Sequence, residues 1–116
     1  MIREGPSGEY AKGMNIWYLG KVHVGKKKFY IAYTQYWFNR DTREIDRLVF
    51  FSEDWHYLGD YGEIYYPPVM ICGSTLYWAY KPHLGNKVSV DVNGPPSKVV
   101  LNGEIYEFDD SKAGDK

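Results

Sequence analysis

The sequence predicts an all-β fold, an antiparallel meander, and three observations carry that expectation. Apolar and polar residues alternate with period two in several stretches, as they do on a half-buried strand. Pairs such as Asn-Gly, Gly-Ser and Pro-Pro punctuate those stretches at short intervals. Aromatic residues, which favour pleated surfaces, reach 18% of the 116 residues, as 12 Tyr, 5 Phe and 4 Trp.

From Met14 to Val24 the chain reads as a strand that places Ile16, Tyr18, Val22 and Val24 on one face and Trp17 on the other. Gly25 to Lys28 reads as a turn, and Phe29 to Phe38 as a second strand with aromatic groups on both faces. The stretch 41–58 has two readings. Asp41 followed by Glu44 matches a capping box, with Ile45, Leu48 and Val49 at helical spacing, so one helix near 42–57 and an α+β fold form the alternative. The β-prone run Leu48-Val49-Phe50-Phe51, then Ser52-Glu53-Asp54 as a turn into Trp55-His56-Tyr57-Leu58, favours a hairpin.

Gly59-Asp60-Tyr61-Gly62 reads as a turn, with strands expected at 63–66, 69–72 and 75–80. Val88, Val90 and Val92 alternate with polar residues, which predicts a strand with one wet face. The firmest local signal is Val99 to Tyr106, where Asn102-Gly103 calls for a two-residue type I′ turn. Leu101 should then face Glu104, Val100 Ile105, Val99 Tyr106, and Lys98 Glu107.

Residues 16–33 laid over 63–80 match at Tyr18/Tyr65, Val22/Val69, Tyr30/Tyr77, Ala32/Ala79 and Tyr33/Tyr80. The period of 47, at about four strands per unit, resembles β-propeller blades. That resemblance implies two blades per chain, repeats over 13–60 and 61–110, and a ring completed by several chains, as in small oligomeric lectins that bind sugars between blades. No lectin sugar-binding motif accompanies it.

One domain over 13–110 is expected, with 1–12 a flexible N-terminal segment and 111–116 a flexible tail. No apolar leader or membrane-length run occurs, and Cys72, the one cysteine, precludes an intrachain disulfide. A cytoplasmic location and no contact with membrane follow as expectations. Residues 1–40 hold seven Lys/Arg against two Asp/Glu, whereas 41–116 hold seven against thirteen.

Linear motifs for catalysis are lacking, so the expected function is non-enzymatic, with neither cofactor nor metal. His23, His56 and His83 have no ligand spacing, and Cys72 reads as a buried, inert hydrophobe. The acidic residues Glu53, Asp54, Asp60 and Glu63 read as turn residues before they read as a carboxylate pair. The expectation is a binding or interaction domain whose exposed aromatics, Trp17, Trp37, Trp55 and Trp78, meet a carbohydrate or a protein partner. Homo-oligomers are expected because so much aromatic surface exceeds one small core. Two alternatives stand beside it. One is single-stranded nucleic acid bound along the hairpin 21–37, with Lys26, Lys27 and Lys28 tracking phosphate and Tyr30 and Tyr36 stacking bases. The other is a structural or assembly role in a viral or multi-subunit particle.

Overall fold

A computed structural model describes residues 3–4, 10–38, 44–79 and 86–111, with side chains described over 14–36, 45–79 and 86–111. Expectations placed on Asp41, Tyr80 and His83, on most of 1–12 and on 112–116 lie outside the described residues. The described residues form ten strands, β1 (Arg3–Glu4), β2 (Tyr10–Val24), β3 (Lys27–Phe38), β4 (Glu44–Phe51), β5 (Tyr57–Gly62), β6 (Met70–Cys72), β7 (Thr75–Tyr77), β8 (Lys87–Ser89), β9 (Lys98–Leu101) and β10 (Glu104–Asp109). They form a seven-stranded sheet in the order β1-β2-β3-β4-β5-β10-β9 and a three-stranded sheet in the order β6-β7-β8. Every pairing is antiparallel.

The fold is therefore all-β, and no helix occurs among the described residues. The helical alternative near 42–57 gives way to the β4–β5 hairpin, since β pairing buries Leu48 and Phe50 completely on one face. The two stretches matched at a shift of 47 lie in different sheets, the boundary between the expected repeats falls inside β5, and the described residues close no barrel or propeller.

The Asn-Gly hairpin has the expected register at all four pairs, from Leu101–Glu104 to Lys98–Glu107. Asn102 and Gly103 take φ of 55° and 80°, as a type I′ turn requires.

Several expected boundaries move. Lys27 and Lys28 belong to β3, so the β2–β3 turn is only Gly25-Lys26. Gly59 to Gly62 is strand, not turn, because Gly59 serves a close approach instead. A Cβ there would lie 2.6 Å from the Phe108 ring and 2.7 Å from the Asp109 carbonyl oxygen. The chain turns later, at Glu63, whose φ is 63° and whose N–H donates to Asp46 O at 2.8 Å, so 63–66 is not a strand. Val92 is exposed, because Asp91 and Gly94 already bridge across a turn. Cys72 is exposed on the outer side of three-residue β6.

A β-bulge corrects the face assignment of β2. Tyr18 pairs with Ala32 and Gly20 with Ile31, leaving Leu19 as an extra residue. Alternation inverts there, so Val22 shares a face with Trp17, Phe29 and Ile31 and not with Ile16 and Tyr18. That first face is the core face. Val22, Ile31, Leu48, Phe50 and Tyr61 are fully buried on it, against Leu76, Trp78, Val88 and Val90 from the smaller sheet and its flanks.

The core includes a polar cluster. Asp46 is 1% exposed, and the Tyr33 hydroxyl lies 2.7 Å from its Oδ2 and 2.6 Å from the Ile64 carbonyl oxygen. Gln35 Nε2 donates to the same Oδ2 at 3.2 Å. Tyr61 donates to Pro96 O at 2.5 Å, which ties the sheet to the loop before β9. Burial pushes the Tyr61 phenol well above its ordinary range.

Candidate aromatic groove on the open sheet face

The other face of the large sheet is a groove of about 550 Å³, a volume typical of small-ligand sites. Cross-strand register dictates its lining, since residues directly opposite share a face. Ala32 pairs with Val49 and Thr34 with Arg47, giving the floor, while Ile16, Tyr18, Tyr36, Phe51 and Tyr57 stand around it. The small floor residues are covered by these larger neighbours. Ala32, Val49 and Thr34 are each under a tenth exposed, yet Ile16 and Tyr18 at the β2 rim are 59% and 57% exposed.

The β4–β5 turn supplies a second exposed ring, Trp55. Trp55 N–H donates to Ser52 O at 2.9 Å, and Ser52 N–H to His56 O at 2.9 Å, closing a short loop. The Ser52 hydroxyl accepts the N–H groups of Asp54 and His56, both at 3.2 Å. Glu53 also accepts the Lys28 N–H at 2.9 Å, which pins the loop to β3. This geometry needs one left-handed residue after the turn, a slot usually filled by Gly or Asn. Here Trp55 occupies it with φ 65°. The conformation lays its indole flat on Tyr30, with ring centroids 4.0 Å apart and planes 2° from parallel. Tyr18 and Phe51 flank it at 6.0 Å and 5.7 Å. With one face against Tyr30, the Trp55 side chain is still 54% exposed.

The opposite part of the groove is polar. Arg47 Nη1 lies 3.8 Å from Asp60 Oδ2, and Tyr57 donates a short hydrogen bond to the same oxygen. Burial, reinforced by the Asp60 carboxylate, drives the Tyr57 phenol far above its usual range, so it stays a neutral donor. Thr34 Oγ1 and Arg47 Nε are buried without a hydrogen-bond partner. Such groups cost free energy unless something satisfies them.

The four tryptophans named from the sequence do not converge. Trp55 is the groove platform. Trp17 is 45% exposed on the other face, beside Tyr33 at 6.2 Å between ring centroids. Trp78 is 6% exposed and donates its indole N–H to Tyr66 O at 2.5 Å, so it is a core residue and offers no open ring. Trp37 has its place in β3 opposite Glu44, and its side chain lies outside the described residues. Of the basic set, Lys26 is in the exposed turn and Lys27 points away from the groove, its Nζ donating to Val92 O at 3.1 Å. Lys28 shares the groove face with Tyr30 and Tyr36.

Sequence reasoning passed over Lys21 and His23, which the bulge brings onto that face opposite Tyr30 and Lys28. It also passed over Arg47, Thr34, Tyr18, Phe51 and Tyr57. Same-parity positions in β3 and β4 signal part of that set, as Tyr30-Ala32-Thr34-Tyr36 and Ile45-Arg47-Val49-Phe51. Of the four acidic residues, Asp60 alone enters the groove, already engaged by Arg47 and Tyr57. Among the described residues no three His, Cys, Asp or Glu side chains gather as a metal site. No family model, curated protein or solved structure matches the chain.

Proposed function

We propose that the protein is a non-enzymatic binding module that holds a carbohydrate in the groove on its open sheet face. The supporting observation is Trp55. A large aromatic residue in a left-handed slot is strained, and strain of this kind concentrates at functional sites. Its exposed indole is a flat apolar platform of the kind that meets the C–H face of a sugar ring. The Arg47 guanidinium, on a side chain 30% exposed at the polar end of the groove, supplies hydrogen bonds to ligand hydroxyls. Asp60 balances the Arg47 charge, which favours a neutral ligand over an ionic one.

A glycan array followed by titration of tryptophan fluorescence tests this reading. Binding is expected, with loss on Trp55→Ala and little change on Trp17→Ala. An array without hits, together with fluorescence unmoved by saccharides, rejects it.

One observation favours a second reading, single-stranded nucleic acid. Lys21 and Lys28 adjoin Tyr30 on the groove face, so cations lie next to a stacking platform. It predicts retention on single-stranded DNA that weakens with salt and is lost on Lys21→Glu with Lys28→Glu. Absent or salt-insensitive retention removes it. The Glu53 carboxylate at Lys28 and the chain's net charge of −1 place it second.

A further inference from the structure

We propose that the pocket between Trp17, Tyr33 and Pro67-Pro68, on the core face of the large sheet, binds a free quaternary ammonium ion of about the size of choline. The inference does not depend on what the groove on the opposite face binds. The pocket has a volume of about 330 Å³ and is lined chiefly by Trp17, Leu19, Tyr33, Gln35, Pro67 and Pro68. Register builds its floor. Trp17 pairs with Tyr33 and Gln35 with Asp46, so these residues form adjoining rows of the core face. The Trp17 and Tyr33 rings lie 6.2 Å apart with their planes tilted by 41°, which makes an aromatic corner. Trp17 is 45% exposed there, although the same face buries Val22, Ile31 and Leu48 completely. Pro67 and Pro68 complete the wall and bring no N–H of their own.

Asp46 sets the charge of the occupant. Its carboxylate is 1% exposed and is joined to two residues of the pocket, Gln35 Nε2 at 3.2 Å and the Tyr33 hydroxyl at 2.7 Å. Its other oxygen, Oδ1, has no hydrogen-bond partner. Arg47, the next residue of β4, is turned to the opposite face, where it meets Asp60. Among the described residues no cation pairs with Asp46. A buried carboxylate without a counter-charge costs free energy, and a cation one side-chain layer away offsets part of that cost. Tyr33 and Gln35 are that layer. Through protein the field of a charge is screened less than through water, so it reaches the pocket.

The kind of cation follows from what the pocket withholds. The Asp46 oxygens are sealed, so they cannot replace the water held by a metal ion or a primary ammonium, both strongly hydrated. A quaternary ammonium has no N–H to satisfy. Its methyl groups spread the positive charge against aromatic faces, of which tryptophan's is the most favourable. The prolines add apolar contact to the same methyl groups.

Titration calorimetry of the full chain with choline, and with dimethylbutanol as its uncharged carbon analogue, tests the proposal. Choline should bind at least about tenfold more tightly than the alcohol and than methylammonium. Trp17→Leu should weaken choline about tenfold and Trp17→Phe less, because an aromatic face remains. Asp46→Asn keeps the shape and removes the charge, and should also weaken choline about tenfold, with the circular dichroism of the fold retained. Trp55→Ala should leave choline binding unchanged, which separates this pocket from the groove. No binding of choline overturns the proposal, as does equal binding of the alcohol or of methylammonium, or a Trp17→Leu or folded Asp46→Asn variant that binds as tightly as the original. If Asp46→Asn does not fold, choline against the alcohol on the unaltered chain still decides whether charge is recognised. Retention on phosphatidylcholine vesicles that Trp17→Leu abolishes would assign the pocket to a lipid headgroup and overturn the free ion.

Discussion

Replacing Trp55 separates its contribution to stability from its contribution to binding. The indole is 54% exposed, so truncation forfeits only about half of the ~1.5–3 kcal/mol that full burial of a large apolar side chain contributes. The stack on Tyr30 adds about 0.5–1.5 kcal/mol. Against these stands the left-handed backbone at φ 65°, which costs a residue with a Cβ about 1–2 kcal/mol and glycine nothing. Trp55→Gly loses the contacts and relieves the strain, for a net loss of at most about 2 kcal/mol. Trp55→Ala loses the same contacts and keeps the strain, so it should fall below the glycine variant by about 1 kcal/mol. Urea unfolding followed by far-ultraviolet circular dichroism reads both differences. Ligand affinity, if the groove is the site, should fall at least tenfold in both variants alike, because each removes the platform. A glycine variant that loses more than about 3 kcal/mol would make Trp55 a structural residue. An alanine variant as stable as the glycine variant would deny the strain. Either result refutes the inference from backbone strain to function.

Three further outcomes follow from the core. Gly59→Ala should lose about 1–3 kcal/mol by overpacking, since Phe108 is held edge-on by Phe50 and Tyr61 and cannot withdraw; urea midpoints measure it. Tyr33→Phe should cost about 2 kcal/mol in the same assay, because it takes a hydroxyl donor from buried Asp46. The Tyr61 phenol is raised in the fold, so its contribution is complete below the unfolded value of 10.0 and is lost as pH climbs above it. Melting temperatures should therefore fall from pH 10 upward, and Tyr61→Phe should flatten that decline.

Much of the fold was legible because short-range rules and burial agreed. Asn102-Gly103 specified a turn type, the turn type specified a register, and all four cross-strand pairs formed. The β4–β5 hairpin was legible because Leu48 and Phe50 alternate onto the core face, although helical spacing competed for the same residues. The reading failed where a residue serves a distant partner. Gly59 looked like turn punctuation and is instead the space for Phe108, an approach between residues nearly fifty positions apart. Trp55 looked like the start of a strand and occupies a slot where glycine is usual, so neither propensity nor period pointed to it.

The single extra residue Leu19 accounts for the largest error and for the groove itself. Plain alternation from Ile16 carries Tyr18, Val22 and Val24 along one face and makes β2 an ordinary core strand. The bulge inverts the second half, so Val22 enters the core while Ile16 and Tyr18 stay on the open side. It also moves Lys21 and His23 onto the groove face, beside the ring that Trp55 covers. One strand thus serves the core with its C-terminal half and the open face with its N-terminal half. Deleting Leu19 puts these demands in conflict: either Val22 leaves the core, or the N-terminal half of β2 flips, which carries Ile16 and Tyr18 onto the face of Tyr33 and Trp17 onto the groove face. Val22 is fully buried, so its exposure would forfeit about 1.5–3 kcal/mol, and the deletion should be severe. A Leu19→Ala substitution preserves the residue count and hence both faces, and should be mild by comparison. If the deletion were instead as mild as the substitution, the bulge would not be what divides β2 between core and groove.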